Sequence, residues 1–64
     1  MERTRSTIRR LQRALNALAR GSALPRLAVT GRLGRRTLAV LFRFLAAHGP
    51  AGEVRLVRAM RALG

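Results

Sequence analysis

The chain has no cysteine, no lysine, no tryptophan and no tyrosine, and only two acidic residues, Glu2 and Glu53. Each gap excludes something. Without cysteine there is neither a disulfide staple nor a thiolate metal site. With Phe42 and Phe44 as the sole aromatics, platforms on which nucleic-acid bases stack are scarce. One histidine, His48, and two distant glutamates do not provide the clustered ligands of a metal site or the paired carboxylates of a glycosidase. No metal and no cofactor are therefore expected, and the chain is not expected to be an enzyme. No run of about 18 uncharged apolar residues occurs, so no membrane span is expected. The basic start, Arg3 to Arg10, is followed by Leu11-Gln12-Arg13, which interrupts the apolar stretch that a signal peptide needs. Cytoplasmic synthesis is the expectation.

What is there is arginine. Fourteen of the 64 residues are basic, all of them arginine, and the formal net charge is +12. Self-repulsion of that size opposes compaction and is relieved by salt or a polyanion. Arginine in place of lysine is equally what GC-rich coding produces, but coding bias does not explain the shortage of acids. An anionic polymer is the expected partner: nucleic acid, an acidic membrane surface, or the phosphates and carboxylates of a bacterial envelope. A chain this short buries about 60% of its unfolded surface. One domain, residues 1–64, with a thin core is the expectation.

Three segments carry helical spacing. Ile8, Leu11, Leu15 and Leu18 form a stripe on a first helix from about Ser6 to Arg20, with Thr4 or Ser6 as cap and Gly21 as stop. Pro25 forbids helix in the break that follows, and Leu27 and Val29 are expected to lie against the helices. Gly31 and Gly34 allow a tight turn. Leu38, Leu41, Phe42 and Leu45 mark a second helix, Arg35 to Ala47, which His48-Gly49-Pro50 closes. Val40 and Phe44 widen its stripe, as suits a central helix. A third begins near Ala51 or Gly52, has Glu53 at its positive end, and carries Val54, Val57 and Met60. The expected fold is all-α, a small three-helix bundle with a long irregular loop between helices one and two. Its core would be Leu11, Leu15, Leu18, Leu38, Leu41, Phe42, Leu45, Val57 and Met60.

The order Leu11-Gln12-x-x-Leu15-Asn16, a loop, then Val29-Thr30-Gly31-x-Leu33-Gly34-x-x-Thr37 and an apolar helix resembles the peptidoglycan-binding domain of cell-wall hydrolases. The version at the C-terminus of phage-type muramidases and endolysins is the most similar. The resemblance spans Ile8 to Leu45. Thr30 stands where that family has aspartate, Leu33 where it has an aromatic or isoleucine, and Arg35 where it has proline. The resemblance implies a non-catalytic module that targets a lytic enzyme or phage-derived particle to the cell wall. It would work at the bacterial envelope or periplasm, or within a phage particle. A lytic enzyme or a phage structural protein is a possible protein partner.

The candidate ligand site is the turn ahead of the second helix: Thr30, Gly31, Arg32, Gly34, Arg35, Arg36 and Thr37. Unpaired amide N–H groups at a helix start attract anions. Arginines in that first turn are disfavoured by the helix dipole by about 0.3–1 kcal/mol each, a cost that an occupying anion removes. The turn also has a purely structural reading, in which the glycines shape it, Thr37 packs locally and the arginines are solvated. The alternative function is non-specific nucleic-acid binding along Arg9, Arg13 and Arg20 of the first helix, with Arg10 nearby. A helix-turn-helix is not expected, because Ser22 to Gly34 far exceeds its short turn. A membrane-active peptide fits less well than a bundle, given where the glycine and proline breaks fall. For His48, a helix C-cap is favoured over a general base.

Overall fold

The computed structural model describes residues 2–20 and 24–63. Two helices account for most of them: α1, Glu2–Leu18, and α2, Arg35–Leu63. Among the described residues there is no strand. The all-α class agrees with the sequence; the three-helix bundle does not. The segment from Ala51 onward continues α2 instead of forming a separate helix after a loop.

The reason lies in two residues. Pro50 has no N–H, and its ring clashes with the carbonyl four residues back in a straight helix. Gly49 absorbs that clash by taking φ 62°, ψ −150°, a backbone region essentially reserved for glycine. One non-helical residue suffices, so the helix bends without a connecting loop. His48 consequently stands at the bend, directly before the one non-helical residue of α2. Its ring lies against Phe44, with centroids 4.6 Å apart, and its Cβ crowds the bare backbone of Gly52.

The first helix starts earlier than its apolar stripe suggested. Residues 2–7 contain neither glycine nor proline, so nothing opposes helix there, and Thr4 and Ser6 lie inside α1 instead of capping it. At the other end, the Ala19 N–H donates to the Leu15 carbonyl at 2.9 Å. Gly21, expected to stop the helix, lies outside the described residues.

The core is Ala14, Leu15, Leu27, Val40, Phe44 and Leu56, with Leu11, Leu18, Leu41, Leu45 and Met60 packed around it. Leu38 is half-buried. Two expected core residues face outward: Phe42 is 63% exposed and Val57 43%. Val29 is also exposed, while Leu27 alone of its segment turns inward. The buried row of α2 runs Thr37, Val40, Phe44, then Gly52 and Leu56 past the bend. That row is rotated about one position from the expected stripe. A helix apolar on most sides does not fix its own rotation. Thr37, a polar residue held by a buried partner on α1, fixes it.

Candidate functional site

Gln12 is 1% exposed, on the face of α1 that also carries the buried Leu15. A buried amide is tolerated when its hydrogen-bonding groups are met, and here they are. Its Oε1 accepts from the Thr30 N–H at 2.9 Å and the Gly31 N–H at 3.0 Å. Its Nε2 faces three oxygens: the Arg32 carbonyl at 3.0 Å, the Thr37 hydroxyl at 3.0 Å and the Thr30 hydroxyl at 3.2 Å. The donors lie on one side and the acceptors on the other. A carboxylate would put a second oxygen against the Arg32 carbonyl, so glutamine fits where glutamate would not.

One helical turn on, Asn16 repeats the device. Its Nδ2 donates to the Leu27 carbonyl at 2.8 Å, and its Oδ1 accepts the Leu27 N–H at 2.7 Å. The side-chain amide thus pairs with one residue's backbone as a neighbouring strand would. Spacing of four places Gln12 and Asn16 on the same face, so the two amides pin the loop at two points. The Leu-Gln-x-x-Leu-Asn run is a scaffold: Leu15 fills the core while Gln12 and Asn16 hold the chain ahead of α2.

Gly31 shows how close the approach is. It is buried, with φ 78°, and a Cβ there would stand 2.7 Å from the Arg5 Cγ. Thr30 bridges the turn, its hydroxyl accepting the Arg32 N–H at 3.1 Å. A short oxygen-bearing side chain serves that turn as aspartate would. Gly34 then begins α2 by accepting the Leu38 N–H at 3.0 Å. Its surroundings are open and its φ is not positive, so it is not needed for the turn in the way Gly31 is.

The seven candidate residues therefore divide. Gly31 and Thr37 are buried and committed to Gln12; Thr30, Arg32, Gly34, Arg35 and Arg36 are exposed. A depression of about 320 Å³ lies between them, with Arg32, Arg35 and Arg36 on its sides and Gln12 and Thr37 beneath. The first turn of α2 has no acidic residue, and its leading N–H groups have no acceptor within the helix. This corner presents guanidinium forks and helix dipole to the same small volume.

Arg26 and Arg43 were not singled out in the sequence. They line the adjoining depression of about 350 Å³, together with Arg36, Pro25, Leu27 and Val40. Only the docking of the Leu27 segment onto α2 brings Arg26 there. His48 and Glu53 stay apart from this corner: His48 is engaged with Phe44, and Glu53 lines a depression on the far part of α2 with Val54, Val57, Arg58 and Arg61. Among the described residues, no helix is long and apolar enough to cross a membrane. No known family model, curated protein or solved structure matches the chain.

Proposed function

We propose that this chain is a single peptidoglycan-binding-like helical domain, without catalytic activity of its own, that holds a wall-degrading enzyme or a phage-derived particle on the bacterial envelope. The observation that carries this reading is the pinned turn: Gln12 fixes residues 30–37 from beneath while Arg32, Arg35 and Arg36 stay exposed around one depression. Peptidoglycan stem peptides offer carboxylates, and a planar guanidinium engages a carboxylate through two parallel hydrogen bonds. A turn that is already fixed loses little entropy on binding. The remaining positive charge speeds encounter with an anionic wall. After cytoplasmic synthesis the domain would act at the envelope or periplasm, or as part of a phage particle.

The test is co-sedimentation with purified sacculi free of nucleic acid, at moderate salt. The wild-type chain should be retained. Replacing Arg32, Arg35 and Arg36 together by glutamine should weaken retention about tenfold or more, the equivalent of about 1.4 kcal/mol. Equal retention of the variant would remove the turn from the site. Binding to RNA or duplex DNA with a steep salt slope, and none to sacculi, would replace the wall reading with nucleic-acid binding.

A further inference from the structure

The depression at the turn is one of four that adjoin. It shares Leu27 and Arg36 with the one lined by Arg26 and Arg43. That second depression shares Arg26 with a third of about 330 Å³, where Arg13, Asn16, Ala17 and Arg20 line the flank of α1. The third shares Arg13 with a fourth, bounded by Ser6, Arg9, Arg10 and Leu63. Each junction includes an arginine. Among the described residues, no carboxylate side chain lines any of the four.

We infer that these depressions form one continuous track for a linear phosphodiester polymer, running from the turn ahead of α2, over the Pro25–Leu27 segment and down the exposed side of α1. Three features carry the inference. The charge is serial: every depression is lined by arginines and an arginine stands at each junction, so cations follow one another as phosphates do along a chain. The path winds between two helices and a loop, so it suits a flexible single chain better than a stiff duplex, which would touch one side only. The track has no aromatic lining, since Phe42 and Phe44 contribute to none of the four. Bases would find no aromatic ring to stack on, so the phosphates carry most of the recognition. Single-stranded nucleic acid and the polyol-phosphate chains of bacterial walls share that chemistry. The track does not depend on peptidoglycan binding, because three of its four depressions lie outside the turn.

The experiment uses labelled oligothymidine of increasing length, competed by tripolyphosphate, long-chain inorganic polyphosphate and poly(glycerol phosphate). Affinity should rise with chain length well beyond that of tripolyphosphate. Base-free polymers should compete as well as oligothymidine at equal charge. The triple variant R10Q/R13Q/R20Q should lose affinity for long chains but not for tripolyphosphate. Its log–log salt slope should shrink by about 2, since each single-strand phosphate no longer neutralised removes roughly 0.7. The single variant R43Q, exposed on the second depression, should shrink it by about 0.7 and gives an independent reading if the triple variant is misfolded by circular dichroism. Direct binding of labelled poly(glycerol phosphate) without oligothymidine binding would support the track and assign it to wall polymers. Binding of oligothymidine alone, tripolyphosphate binding as tightly as long chains, or unchanged slopes in both variants would overturn it. Sacculi stripped of phosphodiester polymers separate the track from the turn: there the α1 variant should be retained like wild type, and only the turn variant should be lost.

Discussion

A single buried side chain, Gln12, organises the corner ahead of α2. It joins α1 to residues 30, 31, 32 and 37 through five hydrogen bonds, and among the described residues no buried side-chain polar atom lacks a partner. Gln12→Met keeps the length of the side chain and removes every one of those bonds. The Gly31 N–H and the Thr37 hydroxyl would be left buried and unpaired, at about 1–3 kcal/mol each. We expect a loss of about 3 kcal/mol in urea unfolding, which is most of the stability available to a domain this small. A loss under about 0.5 kcal/mol would mean that the loop finds its place without the amide. The sequence announced Gln12 only through the Leu-Gln-x-x-Leu-Asn run. Spacing placed it on the apolar face, but nothing in the spacing said which groups it would meet, because those lie 18 to 25 residues away.

At the scale of the elements, the bend in α2 decides which residues form the core. Gly49 takes dihedrals outside the left-handed helical region where asparagine is also at ease. Open space surrounds its Cα, so a substitution there meets backbone strain alone. Gly49→Ala and Gly49→Asn should therefore cost alike, about 2 kcal/mol, measured as a drop in Tm. If asparagine restored most of the loss, the residue would be acting as an ordinary left-handed helix terminus. The break at His48-Gly49-Pro50 was legible, as were the start of α2 at Arg35 and the irregular path between the helices. What the dipeptide does was not legible: glycine and proline mark a change of direction without saying whether a loop follows. Phe42 and Phe44 show a related gap. Two residues apart on a helix apolar nearly all round, they compete for the inside, and the choice of Phe44 rests on Thr37 finding Gln12 across the chain.

For the whole molecule, charge outweighs every other influence beyond the core. With +12 on 64 residues, folding gathers repelling arginines onto a small surface. Salt at about 0.5 M shortens the screening length to a few ångströms. We expect Tm to rise by about 5 °C between low millimolar and about 0.5 M sodium chloride, which for a domain of this size corresponds to about 1 kcal/mol. A flat or falling Tm would mean that the folded surface spaces its arginines as widely as the unfolded chain does. The sign of the expected partner was legible from composition alone. The serial arrangement was not, because Arg26 becomes a neighbour of Arg36 and Arg43 only when the Leu27 segment docks on α2.

The amides under the turn have a practical consequence for anyone mapping it by mutagenesis. A screen that scored capture alone would place Gln12, Asn16 and Gly31 beside Arg35, although two are sealed beneath the surface or bound to backbone and the third has no side chain. Melting curves taken with each hit would sort supports from contacts.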